Sequence, residues 1–230
     1  MGLRERKKEK TRLAILDAAL DLFLEQGYDS TTVEQIAGSV DISPRTFFRY
    51  FTSKDAVAFW FHEHGEEVML ETLRSRPAGE PPFASMTHAL RAVLRDMQDS
   101  TPEDAQRFLK LRRLLDDHPH LVGLTVARGA ETERHLAAEI AARRGADVTT
   151  DRVSHLVVAI AMSSLRVGFE CPPGRRPELS QVVQQMEETL ELVESMMRPG
   201  WDTGDPAAPA APEDGADAAD AAGRPGSGDA

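Results

Sequence analysis

The sequence predicts an all-α protein of about nine helices, with a small three-helix unit at the N-terminal end and a larger helical body behind it. Three observations predict it. In one segment after another, apolar residues recur at the three-and-four spacing of a helix face, opened by Ser, Thr or Pro and closed by Gly or Pro. The stretch Thr31 to Lys54, TTVEQIAGSVDISPRTFFRYFTSK, reads as two short helices joined by a tight turn, with a third starting directly behind. Further on, DRVSHLVVAIAMSSLRVGF is apolar nearly all round, which suits a helix buried on both sides.

Residues 1–10 form an Arg/Lys-rich lead-in without apolar periodicity. They read either as a mobile arm that touches phosphate or reaches a minor groove, or as a frayed, solvated terminus. Helix one starts near Thr11, places Ile15, Ala19, Leu22 and Phe23 on one face, and ends at Gly27. Tyr28 and Val33 help close the small core around it. Thr32 caps helix two, and Gln35 three residues later completes a capping box. Ser43 caps helix three, whose first position is Pro44, where a missing N–H costs nothing. That helix, Pro44 to Phe51, carries Arg45, Thr46, Phe48, Arg49 and Tyr50 around two apolar positions, Phe47 and Phe51; Ser53 caps the next. Two helices, a tight turn and a second helix bearing arginines and aromatics describe a helix-turn-helix, which sends its second helix into a DNA major groove.

The stretch Thr11 to Lys54, in TRLAILDAALDLFLEQGYDSTTVEQIA and then SPRTFFRYFTSK, resembles the DNA-binding domain of the tetracycline-repressor (TetR) family. It departs from that family at the turn, where Val40-Asp41-Ile42-Ser43 stands for the usual Ala-Gly-Val-Ser. Asp is one of the few residues besides Gly that tolerates a left-handed backbone, so the turn is expected to survive. The resemblance implies a homodimer whose last two helices pair across a two-fold axis. It also implies a helical ligand-binding and dimerisation domain enclosing a small-molecule pocket, whose occupancy spreads the recognition helices and releases a palindromic operator. Base-edge contacts are expected from Arg45, Thr46 and Arg49, with Phe48 against a thymine methyl. Phosphate contacts are expected from Thr32, Ser43, Tyr50 and Lys54. Tyr50 and Lys54 carry over from the family pattern, while Phe48 and Arg49 stand where the family varies.

Helix four runs from about Ser53 to Arg74, directly out of the reading unit, so that movement at its far end would tilt that unit. Its His62 and His64 are two apart and face different sides, whereas a metal pair wants i and i+4. RPAGEPPF, residues 76–83, breaks the pattern and opens the larger body. Helix five spans about 83–99; Thr101 and Pro102 restart helix six, which reaches about Asp117. His118-Pro119-His120 turns the chain into helix seven, which ends near Arg144 before Gly145. Helices eight, about 150–170, and nine, about 178–197, form a hairpin across Pro172, Pro173 and Pro177, and are read as the homodimer surface or as a monomeric core. From Pro199 the chain turns to Ala, Pro, Gly and Asp, with seven acids against one base, and a disordered acidic tail is expected. The expected division is thus an arm at 1–10, a DNA-binding domain at 11–54, a body at 55–198 and a tail at 199–230.

The formal net charge of −11 looks wrong for a DNA binder until its distribution is read. Residues 1–54 carry a net +1, with a local +4 over residues 1–12, and the remainder carries −12. Basic charge therefore sits at the end that should meet phosphate, and an architectural DNA protein, basic over its whole surface, is excluded. No P-loop, G-x-S-x-G, H-E-x-x-H or metal-spaced Cys/His cluster points to an enzyme. No apolar run approaches the length needed to span a bilayer, and the single Cys171 fits a reducing cytoplasm. A pocket for an apolar effector would draw on Trp60, Phe61, Phe83, Met86, Met97, Phe108, Met162, Arg166 and Phe169, or these are simply core. Arg166 and His155 are polar residues in an apolar helix; either orients a ligand's acid group or pairs across the dimer. Lys110, Arg112 and Arg113 either meet an anionic group such as the phosphate of an acyl-CoA, as in the branch of the family that responds to acyl-CoA, or form a solvated face. No cofactor or metal is implied. The competing reading is a ligand-independent regulator or activator whose body serves only dimerisation.

Overall fold

Ten α-helices and no strand occur among the described residues, 2–171, 174, 177–197 and 200–202, of the computed structural model. The N-terminal unit comprises α1 (Leu3–Gln26), α2 (Val33–Ser39) and α3 (Pro44–Phe47). Two helices, α4 (Lys54–Ala58) and α5 (Trp60–Ser75), lead out of it. The body is α6 (Pro82–Gln98), α7 (Pro102–Asp117), α8 (Pro119–Arg144), α9 (Arg152–Glu170) and α10 (Leu179–Met196).

Three boundaries differ from the sequence expectation, each for a local reason. The lead-in is not a separate arm: α1 begins at Leu3, with the Gly2 N–H donating to the Glu5 carboxylate at 2.9 Å. Arg, Lys and Glu are good helix formers, and extending an existing helix avoids the cost of nucleation. The expected fourth helix counts as two because Phe59 leaves helical dihedrals, at φ −100° and ψ 9°. Hydrogen bonding nonetheless continues through it, since its N–H reaches the Asp55 carbonyl and the Glu63 N–H reaches its own carbonyl. Helix three stops at Phe47, and residues 48–50 form a turn.

The first core cluster crosses between unit and body. Ile15, Leu16, Phe23, Ile36 and Phe47 pack in one cluster with Leu111 and Leu114 of α7 and Leu121 of α8. A second cluster gathers Leu73, Met86, Leu90, Leu136, Val157 and Leu190 from α5, α6, α8, α9 and α10. At the other end of the body, Leu94, Val182, Val183 and Met186 join α6 to α10. Arg91 on α6 clasps α10, donating to Glu187 at 2.6 Å and bidentately to Glu194 at 2.7 and 3.0 Å.

The start of the expected tail is packed. Trp201 meets the Phe83 ring at 5.4 Å, and the Asp202 carboxylate accepts the Phe83 N–H at 2.8 Å. That bond caps α6, whose own N-cap is Pro81 and offers no side-chain acceptor. Residues 203–230, where the disordered tail was expected, lie outside the described residues.

One helix also corrects the expectation that no apolar run is long enough for a bilayer. By length and mean hydropathy, 1.3, α9 passes that test. Here it packs on α6, α8 and α10, and it carries Ser154, His155, Ser163, Ser164 and Arg166.

The hairpin of α9 and α10 depends on Gly168. A Cβ placed there would stand 2.6 Å from the Met186 Cα and 3.2 Å from the Gln185 carbonyl oxygen, both backbone atoms of the facing helix. In an open helix Gly→Ala would gain about 0.5–1 kcal/mol. Here the clash outweighs that gain, and Gly168→Ala is expected to destabilise the fold by about 1–3 kcal/mol, the usual cost of overpacking. Chemical denaturation measures it, and a stabilised variant would show that the two helices can part without cost.

Candidate nucleic-acid interface

The reading unit is built by caps and one unusual turn. Thr32 Oγ1 accepts the Gln35 N–H at 3.2 Å while Gln35 Oε1 accepts the Thr32 N–H at 2.8 Å, which is the expected capping box. After α2 the chain reverses through Asp41 at φ 53°, the one non-glycine positive φ among the described residues. The Ile42 N–H then closes back onto the Ala37 carbonyl at 3.0 Å. Ser43 Oγ accepts the Thr46 N–H at 3.1 Å and starts α3, with Pro44 in its first turn.

Behind α3, Phe47 is fully buried and Phe51 nearly so, their rings 5.9 Å apart. Outward from the same short helix and its turn come Arg45, Phe48 and Arg49, all exposed, with Phe48 at 54%. Phe48 is thus left in water directly after a buried Phe, between two exposed arginines. Thr46 is half-buried, and its hydroxyl shares a 2.9 Å hydrogen bond with Ser43 Oγ. Arg49 lies over the Tyr50 ring at 5.1 Å and donates to its hydroxyl at 3.3 Å. That bond is the largest influence lowering the Tyr50 phenol below its ordinary value, helped by the Thr11 hydroxyl and the positive charges of Arg49 and Lys8. Thr11 and Lys8 of α1 thus stand near the Tyr50 hydroxyl.

Lys54 sits differently from the sequence expectation. Its ammonium donates to the Tyr28 carbonyl at 2.7 Å and the Thr31 carbonyl at 3.1 Å, and lies 4.1 Å from the Tyr28 ring centre. Two of the three ammonium hydrogens are thereby used in locking this loop. The Tyr28 hydroxyl donates to Asp55, and burial beside that carboxylate pushes the phenol up. Thr32 and Ser43, the other expected phosphate contacts, are exposed.

The expected effector pocket does not assemble as one site. Phe61, Phe108 and Phe169 form an edge-to-face ladder at 5.8 and 5.9 Å, with Trp60 against Phe61 at 4.8 Å, and Met97 packs against the same cluster as Phe108 and Phe169. Phe83 and Met86 are buried in the other cluster, with Met162 against it, where α6 packs with α5 and α9. Arg166 is exposed, 3.4 Å from Glu170, and His155 bonds the Val148 carbonyl at 2.8 Å. Lys110 binds Asp21 and Arg112 donates to the Phe169 carbonyl at 2.6 Å, so these two do not form a free anionic-ligand patch. Two open clefts of about 400 Å³ lie elsewhere. One is lined by Glu80, Pro82, Ile140 and Arg143, the other by His62, Glu66, Arg128, Thr132 and His135.

Comparison with known proteins matches both parts of the chain. The profile described as bacterial regulatory proteins, tetR family, covers residues 15–59, and that of the MftR C-terminal domain covers residues 81–197. The HTH-type transcriptional regulator TcmR of Streptomyces glaucescens is 43% identical over 168 residues, 72% of this chain and 74% of its own. A Mycobacterium tuberculosis protein named as a candidate mycofactocin biosynthesis transcriptional regulator, MftR, is 28% identical over 69% of this chain and 80% of its own. Among solved structures, a TetR-family regulator from Streptomyces coelicolor is 23% identical with a TM-score of 0.46, covering 80% of this chain and 96% of that one.

The left-handed residue offers a clean test of the turn. Asp41 is exposed and holds φ 53°, which Gly adopts without penalty. Asp41→Gly is expected to leave stability unchanged or raise it by less than about 1 kcal/mol. A loss beyond that in thermal unfolding would mean that the Asp41 carboxylate holds the turn.

Proposed function

The chain belongs to the tetR family of bacterial regulatory proteins and is a transcriptional regulator with a helix-turn-helix. On that premise we propose that it is a cytoplasmic, non-enzymatic repressor. It binds a palindromic operator as a homodimer and releases it when a small apolar or acyl-type effector enters the body. The exposed triad Arg45, Phe48 and Arg49 on a unit otherwise closed by buried aromatics carries the DNA half of that reading.

Arg45 and Arg49 read base edges, Phe48 meets a thymine methyl, and Thr46 adds its methyl or shared hydroxyl. Tyr50, Thr32, Ser43 and the third hydrogen of Lys54 hold phosphates and fix register without carrying sequence information. Residues 11–54 form the reading domain and 55–198 the ligand-binding and dimerisation domain.

Dimerisation is supported by apolar surface left bare in one copy. On α9, Leu156 is 54% and Val167 43% exposed, three turns apart along one side of the helix. On α10, Leu192 and Met196 are 60% and 63% exposed. A second copy would cover them and set two reading units on half-sites one helical turn or more apart, about 34–36 Å.

The effector half is supported by where the aromatic ladder lies. Phe61 belongs with the core around the reading unit, and Phe108 and Phe169 with the far core of the body. A molecule wedged between those rings would move α7, which grips α1. One observation favours a ligand-blind regulator whose body only dimerises: the rings already touch one another.

Binding profiles over duplexes substituted one base pair at a time test the DNA half. Arg45→Ala is expected to lower discrimination at one position per half-site by about 1–3 kcal/mol. Tyr50→Phe, which removes only the hydroxyl, is expected to weaken every duplex alike. An Arg45→Ala profile parallel to the wild type would make Arg45 a backbone contact and undo the assigned readout.

A further inference from the structure

The N-terminal residues continue α1 for two turns beyond the body of the reading unit. Residues Leu3–Lys10 extend the helix by about 12 Å, at 1.5 Å per residue. At about 3.6 residues per turn, Arg4, Lys8, Thr11 and Ile15 fall on one stripe. Ile15 is fully buried, so the stripe continues the core-facing side of α1 outwards, past Thr11 to two exposed bases. Lys7 and Arg12 flank it, whereas Glu5 and Glu9 are turned about 90° or more away and Arg6 lies on the opposite side.

The stripe meets the DNA-facing surface at Tyr50, whose hydroxyl has both the Thr11 hydroxyl and the Lys8 charge among its neighbours. Tyr50 also carries Arg49 over its ring, so a base from the turn after α3 and one from α1 stand near one phenol. Arg12, one turn on, is held back by Phe51 and Trp60, with its guanidinium 5.5 and 5.8 Å from their ring centres.

We infer that the Arg4–Lys8–Thr11 stripe of the extended α1 is a second contact surface for the DNA backbone, lying along phosphates next to the one held by Tyr50. It rests on the DNA-binding reading above and deepens it. Shape excludes the other use of a basic N-terminus: an α-helix with its side chains is about 10–12 Å across, while the minor groove is about 6 Å wide. The extension lies against the duplex as a rod. Its charge matters because residues 1–54 carry a net of only +1, and the local +4 of residues 1–12 supplies all of it. Such contacts raise affinity for every sequence and leave the base preference to Arg45 and Arg49.

The test uses the full chain on two duplexes of equal length, one recovered by selection from a random pool and one of mixed sequence, over a salt series. Each lost phosphate contact lowers the slope of log affinity against log salt by about 0.9. Arg4→Gln with Lys8→Gln removes two contacts from each copy of the dimer, and is expected to weaken both duplexes by the same factor and to lower the slope by about 3.6. Arg6→Gln, on the opposite side, is expected to change neither. An unchanged slope in the Arg4/Lys8 variant, with wild-type chain binding normally, overturns the inference. A loss confined to duplexes with A·T-rich flanks also overturns it, because it would place these side chains in the minor groove. If the wild-type chain retains no duplex at all, the DNA-binding reading falls and takes this one with it.

Discussion

The rest of the molecule depends on one joint, the bidentate pair between Arg107 of α7 and Asp17 of α1. The guanidinium meets the carboxylate at 2.6 and 2.7 Å and also holds Asp104 at 2.7 Å, with Arg107 only 8% exposed. A fork-to-carboxylate pair fixes angle as well as distance, which a point charge would not do. One turn further along the same face of α7, Lys110 binds Asp21. Beneath these pairs, Leu111 and Leu114 enter the core of the reading unit. The stabilisation comes mainly from that apolar contact; Asp17 is 42% exposed, so solvent screens its share of the pair. What the pair supplies is orientation: the direction in which α3 points is set from the body.

The same helix faces the other way too. Arg112 of α7 donates to the Phe169 carbonyl and lies 4.4 Å from the Phe169 ring centre, near the C-terminal end of α9. Five residues of one helix thus connect the base of the reading unit to a helix that leaves apolar surface uncovered. Packed cores move between discrete arrangements and do not deform continuously. A change at the aromatic ladder would accordingly reach α1 as a shift of α7 as a body. Gly168 gives α9 and α10 their close approach at the far end of this chain of contacts.

Much of the reading unit was legible because its signals are local. Thr32 with Gln35, Ser43 with Pro44, and the buried Phe47 and Phe51 each declare themselves within a few residues. Asp41 was legible as a left-handed residue because few side chains tolerate that backbone. The division of the body into helices followed from Pro and Gly punctuation. Long-range placement was not legible. Periodicity says that Phe83 and Phe108 each face inwards, and it cannot say that they face different cores. Nor does it reveal that Lys54 spends two hydrogens on a loop, or that Asp202 returns to cap α6. The helical lead-in was not legible because residues 1–10 carry neither an apolar period nor a Ser, Thr or Pro start, and a solvated extension of an existing helix needs neither.

On the proposed reading, a unit of such small net charge binds DNA through geometry: two copies, each held at a set angle by its α1–α7 joint, presented at one separation. Selection of bound duplexes from a random pool by the full chain tests that most directly. The account predicts recovered sequences with two half-sites related by a two-fold axis at a single spacing. Recovery of isolated half-sites, or of half-sites at scattered spacings, would contradict it.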